Sequence, residues 1–180
     1  NPDSLLVHNH YSVEFDAFLL KLNQNGEYIW SKSYGGSEQD FIKDIKIDHK
    51  SNICIGGYFG FDCDFNPDTS HVTLFSGTYE DGYLLQLNSQ GEFLTVKQLR
   101  SDFGAFVNQI LLDTNDCYVL TGTTDGWTDF DPDTSTYVKY SYSNTNGTPF
   151  LWYLDENLIL DTAILLGNGN PSYLFETFLP

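Results

Sequence analysis

An all-β fold built from repeated four-stranded antiparallel units is the reading this sequence supports, and three observations carry it. The chain repeats itself every 65 residues, its apolar residues alternate with period two, and helix signals are missing. The repeat is the strongest of these. "FDCDFNPDTS" at 61–70 returns as "WTDFDPDTS" at 127–135, and the chain opens on "NPDS". In that register Asn1, Pro2 and Asp3 fall on Asn66, Pro67 and Asp68, while Asp16, Leu20, Leu22, Asn23 and Gly26 fall on Asp81, Leu85, Leu87, Asn88 and Gly91. Further along, Phe41, Ile45, Asp48, Gly57, Asp64 and Phe65 fall on Phe106, Ile110, Asp113, Gly122, Asp129 and Phe130. The units run 1–65, starting part-way through a unit, then 66–130, then a degenerate and incomplete 131–180. The last is offset by 67, and its "DENLILDT" lacks the turn glycine of "NQNGEYIW" and "NSQGEFLT".

Within the first unit, "AFLLKLN" reads as a strand, "QNGE" as a turn with glycine where a positive φ is wanted, and "EYIWSKSY" as the returning strand of a hairpin. "FIKDIKID" alternates, "HKSN" turns, and "ICIGGYF" returns. "DFNPDTSHVTLFSGTYED" is an insert containing another short strand or hairpin. No run carries apolar residues at i, i+3, i+4 and i+7, and no convincing capping box is present.

Four short antiparallel strands repeated head to tail describe the blades of a β-propeller, in which radial repetition protects sheet edges. Solenoid coils are much shorter than this period, and sandwich domains of about 100 residues are longer. The chain therefore reads as a β-propeller fragment of about 2.75 four-stranded antiparallel blades, not a closed ring on its own. By analogy with propellers, the innermost strands are 41–48, 106–113 and 173–179, and the next outward are 53–59 and 117–123. Third strands fall at 17–23, 82–88 and 149–154, and rim strands at 27–34, 92–99 and 158–166. Closure of a ring needs the remainder of a longer chain or a partner protein. The lack of any Met, position 1 included, fits an excised or processed piece.

Twenty-five acidic against eight basic residues give a formal charge of -17, which repels phosphate backbones and anionic lipid and argues against nucleic-acid or membrane-surface binding. No apolar run reaches the roughly 18 residues of a spanning helix.

"DAFLLKLNQNGEYIWSKSYGG", followed by "IKIDHKSNICIGGYFG" and "CDFNPDTS", resembles the SBBP repeats of seven-bladed β-propeller proteins over residues 1 to 130. Those repeats run as an aspartate-led strand, an asparagine-glycine turn, a Trp-bearing strand and a closing "DFDP". The resemblance implies a secreted or cell-surface bacterial protein, often a large multidomain adhesin or surface-layer component, and does not imply an enzyme. Function on such a fold is set by its sites.

Among candidate sites, Asp62, Asp64, Asn66 and Asp68, with Asp129, Asp131 and Asp133 in the second copy, offer oxygen ligands of the kind calcium takes. A 12-residue calcium loop counted from Asp62 would have Pro67 in place of its glycine and Thr73 in place of its glutamate. The alternative is structural. Alternation sends Phe61, Cys63 and Phe65 to the core and the carboxylates outward, and Asn66-Pro67-Asp68-Thr69 suits a type I turn. Calcium is accordingly the one cofactor under consideration, with the turn role explaining more.

His8 and His10 share a strand side without an evident third ligand. Cys54, Cys63 and Cys117 read as small buried hydrophobes, a Cys54–Cys63 bridge being the alternative. "TYVKYSYS" at 136–143 places Val138, Tyr140 and Tyr142 on one face, and Tyr137, Tyr140 and Tyr142 are candidates for contact with protein or glycan if exposed. No GxSxG, HExxH or phosphate-binding glycine loop occurs. The functional expectation is a non-enzymatic, extracellular interaction or structural module binding protein or carbohydrate. The alternative is part of a propeller hydrolase or lyase with carboxylates at the central channel, where Asp48 and Asp113 at the inner-strand ends read as turn formers.

Overall fold

The computed structural model describes residues 15–67, 70–133, 136–141 and 147–167. The expected strand at 173–179, both His8 and His10, Asp68 and Tyr142 lie outside them.

A hairpin of β1 (Ala17–Leu22) and β2 (Tyr28–Tyr34) comes first, followed by β3 (Asp40–Ile47) and β4 (Ile53–Phe59). A short hairpin, β5 (Asp62–Asp64) and β6 (Thr73–Phe75), precedes β7 (Asp81–Leu87) and β8 (Phe93–Ser101). The pattern then recurs as β9 (Ala105–Leu112), β10 (Tyr118–Thr124), a second short hairpin β11 (Gly126–Asp129) and β12 (Val138–Ser141), and finally β13 (Thr148–Leu154) and β14 (Leu160–Leu165). Among the described residues the protein is all-β, with antiparallel sheets and no helix. The expected strand positions match the observed ones to within a residue or two wherever they are described.

Three layers result. β1 and β2 form one sheet, β3-β4-β7-β8 are hydrogen-bonded neighbours in a second, and β9-β10-β13-β14 in a third. Both short hairpins leave the sheet their sequence neighbours build. The β11–β12 hairpin docks on the rim of the preceding sheet, pairing Thr128 with Ser101 and Asp129 with Arg100 of β8. The β5–β6 hairpin reaches back in the same way, through a bridge between Asp64 and Gly35 just beyond β2. Each hairpin covers an outer strand edge that would otherwise present unpaired backbone groups.

Packing follows from this layering. Leu19 and Tyr34 of the first sheet meet Ile55, Leu85, Phe59 and Tyr83 of the second, while Cys54, Leu84 and Leu99 on the opposite face of the second meet Val107, Ile110, Leu120, Phe150 and Trp152 of the third. The middle sheet is buried on both sides. Its inner strands β4 and β7 consequently lose the apolar–polar alternation and are buried almost throughout. Each fully buried Leu or Ile contributes about 1.5–3 kcal/mol, so the two apolar layers are the main source of stability. Cys54 faces one layer and Cys63 the other, which is why both are free and no bridge joins them; Cys117 is free and half-buried.

The edge strands β3 and β9 carry a bulge at equivalent places. Register slips between Ile42 and Asp44 of β3, and opposite Gly122 in β9. A Cβ at Gly57 or Gly122 would come within 2 Å of the Phe41 or Phe106 carbonyl oxygen (1.9 and 1.8 Å), so glycine at both positions is a steric requirement of the bulge.

At one end of the stack every described β-turn is built alike. Asn23, Asp48, Asn88, Asp113 and Asp155 each lead a turn in which the residue three positions on donates its N–H to the leader's carbonyl, at 2.9–3.3 Å. The leading side chain accepts further backbone N–H groups, as Asn23 does from Asn25 and Glu27, Asp113 from Asn115 and Cys117, and Asp155 from Asn157 and Ile159. The fourth residue takes positive φ: Gly26 (79°), Ser51 (66°), Gly91 (82°), Asp116 (61°) and Leu158 (62°). Loss of the turn glycine in the third unit therefore leaves the turn intact, with buried Leu158 in the left-handed conformation.

Candidate functional site

The repeated aspartates can be placed residue by residue. One carboxylate oxygen of Asp64 accepts the N–H groups of Asn66 and Val72, each at 3.0 Å, and the other accepts the Nδ1 of His71. Asp129, one repeat later, accepts from Asp131 at 3.1 Å and Tyr137 at 2.9 Å, the same two positions. Each closes its hairpin by capping both ends of the loop. Burial disfavours ionisation of Asp64, but bonds from His71, Asn66 and Val72 outweigh it and bring its pKa below the ordinary value. Asp62 points elsewhere, accepting the Ser37 N–H at 3.1 Å and the Ser37 hydroxyl. Asp131 accepts the Asp133 N–H, and Asp133 pairs with Lys97 of β8 at 2.5 Å. Among the described residues no three His, Cys, Asp or Glu side chains come together as a metal ion needs.

The phenylalanines beside these aspartates anchor the hairpins. Phe65 packs edge-on against Phe59 and lies 4.8 Å from Tyr83, and Phe130 lies against Phe150 while its carbonyl accepts the Trp152 indole N–H at 2.8 Å. Cys63 and Phe65 are buried as alternation predicts, whereas Phe61 is 57% exposed. The correction has a local cause. Phe61 precedes β5 with φ at 54°, and that left-handed turn breaks the alternation before the strand begins.

The tyrosine segment forms β12, on the outer hairpin. Val138 and Tyr140 share an exposed face, and Tyr140 lies against exposed Trp127 of β11, centroids 4.7 Å apart. Tyr137 is outside that face. Lys139 sits 4.8 Å over its ring, and hydrogen bonds from Lys139 and Thr162 hold its phenol below the usual pKa.

Three loops at the hairpin-bearing end enclose an open groove of about 580 Å³, lined by Glu38 and Gln39 before β3, Gly60 and Phe61 after β4, and residues 77–80 before β7. Backbone bonds fix its walls: Gly60 N–H to Gln39 O, Ser76 N–H to Phe61 O, and Ala105 N–H to Glu80 O, at 2.9–3.0 Å. Tyr79 is half-exposed and lies tilted against the exposed ring of Phe103, centroids 5.6 Å apart. Sequence reasoning missed this groove because it gathers residues from separate loops. The legible signal was departure from the repeat, where Glu38 and Phe61 stand opposite Phe103 and Gly126.

The residues that follow Gln39 and Glu80 of the groove lining are buried carboxylates. Asp40, 2% exposed, receives the Gly36 N–H at 3.1 Å and is pushed up to about 8 by burial, with the charges of Asp16 and Asp62 adding to the effect. Asp81, also 2% exposed, is raised by burial to about 6, moderated by bonds from Ser101 and Gln98.

The chain matches no protein-family model, and no curated protein matches it.

Proposed function

We propose that the chain is part of a β-propeller of the SBBP kind, belonging to a secreted or cell-surface bacterial protein, and that it acts without catalysis as an interaction and structural module. Support comes from the stacking of four-stranded sheets at the sequence period, with each inserted hairpin clasping the sheet before it. On this reading each four-stranded sheet is a blade, β3 and β9 are innermost, and the remainder of a longer chain or a partner protein completes the ring. The aspartates of the hairpins are turn formers, and calcium is not required.

The observation that carries a binding role is the exposed face of the outer hairpin, where Trp127 and Tyr140 are 55% and 52% exposed and in tilted ring contact, with Val138 beside them. Rigid amphipathic rings bury large area on a protein or sugar at low entropic cost. A hydrolase reading finds less support, because Asp44 of β3 already pairs with Lys46 at 2.9 Å and accepts the Ile110 N–H at 2.9 Å.

A glycan array probed with the intact chain and with the W127A/Y140A variant tests this face. Signal from the intact chain that disappears in a variant of unchanged melting temperature is the expected result. Signal retained by the variant refutes the assignment, and silence from every glycan leaves protein as the ligand class.

A further inference from the structure

The groove between the β2–β3, β4–β5 and β6–β7 loops has a counterpart one repeat later, and the two differ in a telling way. In the later copy Gly126 takes the positive φ of 76°, and Phe103 packs so closely over it that a Cβ there would lie 2.5 Å from the ring. In the earlier copy the glycine is replaced by Phe61, at φ 54°, and the filling phenylalanine by Glu38. A non-glycine residue in this region costs about 1–2 kcal/mol. Phe61 recovers little of that by packing, since it is 57% exposed, and the position of the ring that lies over Gly126 is taken by an exposed carboxylate.

The lining is chemically specific. Glu38 and Glu80 form neither a hydrogen bond nor an ion pair through their carboxylates among the described residues, and they face a groove shared with the rings of Phe61 and Tyr79. Glu80 is half-buried, and its charge contributes to raising the pKa of Tyr58, after burial as the larger cause. Carboxylates beside aromatic faces suit an organic cation, attracted by the charges and by the ring quadrupoles together. A volume of about 580 Å³ is within the range of ligand sites, and a chain of net charge -17 draws cations toward it.

We propose that this groove binds a guanidinium or ammonium side chain presented by a partner protein, held by Glu38 and Glu80 and covered by Phe61 and Tyr79. The site stands independently of the propeller reading and of the Trp127–Tyr140 face. Tyr79 also contacts the exposed ring of Phe103, an apolar surface next to the groove.

The test is an NMR titration of the full isotopically labelled chain with N-acetyl-arginine methylamide, its lysine counterpart, and the neutral isostere N-acetyl-citrulline methylamide. Saturable shifts confined to Gly60, Phe61 and residues 77–80 are expected with the cations and not with citrulline. E38Q/E80Q should weaken binding by roughly fivefold for each carboxylate, given about 1 kcal/mol for a solvent-exposed charge pair. F61G is the fold-safe control, because it installs the glycine the chain already uses at Gly126. Its melting temperature should be unchanged or higher while binding falls. Equal binding of citrulline, unsaturable shifts spread over the acidic surface, or full binding by F61G would each overturn the proposal.

Discussion

Replacing Asp40 by Asn should make the protein more stable at neutral and alkaline pH and flatten its stability between about pH 4 and pH 8. Asp40 is 2% exposed; one carboxylate oxygen accepts the Gly36 N–H, the Cys63 thiol also bonds to the group, and the other oxygen has no hydrogen-bond partner. Its pKa stands near 8 against an ordinary 3.8, mainly through desolvation, with Asp16 and Asp62 repelling the charge. Between those values the folded chain holds a proton the unfolded chain has released. Stability therefore falls as pH rises through this window and is level above it. At ~1.4 kcal/mol per pH unit the whole window is worth at most ~6 kcal/mol, and an interior that polarises and admits water reduces this to ~2–3 kcal/mol. Asn keeps an acceptor for Gly36 and carries no charge to desolvate. The assay is urea unfolding of both proteins at half-unit pH steps from 4 to 9. Parallel curves, or a variant that loses stability at pH 8, would refute the account of Asp40 as a carboxylic acid kept neutral by its surroundings.

Other expectations follow from the turns and the core. Asp129→Ala removes the acceptor of two backbone N–H groups and should cost about 1–2 kcal/mol in chemical denaturation, with the same sign for Asp64→Ala; millimolar calcium should leave the melting temperature of the parent chain unchanged, since a native-state ligand would raise it. Ser51→Gly relieves a left-handed φ of 66° at an exposed position and should stabilise by about 1 kcal/mol, read as a raised denaturation midpoint. Trp152→Phe keeps most of the buried area but loses the indole bond to the Phe130 carbonyl, and a loss of about 1–2 kcal/mol is expected by the same measurement. Asp64, Asp113 and Asp116 have pKa values lowered by their hydrogen bonds, so their contribution is present above the ordinary carboxylate range and lost in acid as pH falls through the folded values.

The strands were legible because a half-buried antiparallel strand writes its face into alternate residues, as "FIKDIKID" does, and because the register repeats. Even β4 and β7, buried on both sides and so without alternation, were bounded by the turns on either side of them. The role of the repeated "DF" was only half legible. Alternation placed Phe65 inward and assigned the carboxylates to a turn, but the turn they close is the whole hairpin, with Asp64 reaching Val72 and Asp129 reaching Tyr137 across the loop. That the hairpin crosses to the preceding sheet depends on contacts between Thr128 and Ser101, which local pattern does not encode. The groove was hidden for the same reason. Its walls are brought together by Gly60 reaching Gln39 and Ala105 reaching Glu80, over separations that no periodicity spans.

The two ends of the stack divide the work, and the positive-φ residues show where. At the turn end two of the three departures from glycine have a return inside the chain: Asp116 accepts both the His49 N–H at 2.9 Å and its Nδ1 at 2.7 Å, tying adjacent sheets, and Leu158 buries its side chain to 3% exposure. Ser51 has the least to show for its conformation and is accordingly the position where glycine should improve the fold. At the hairpin end Phe61 has a similar φ, yet its ring is 57% exposed, beside Tyr79 and two carboxylates that have no hydrogen-bond or ion-pair partner among the described residues. Strain with no internal return is characteristic of positions held for something outside the chain. On the proposed reading the hairpin end, where Glu38 and Phe61 stand in place of Phe103 and Gly126, is the place for recognition, and the turn end, held by its own backbone bonds, is scaffold.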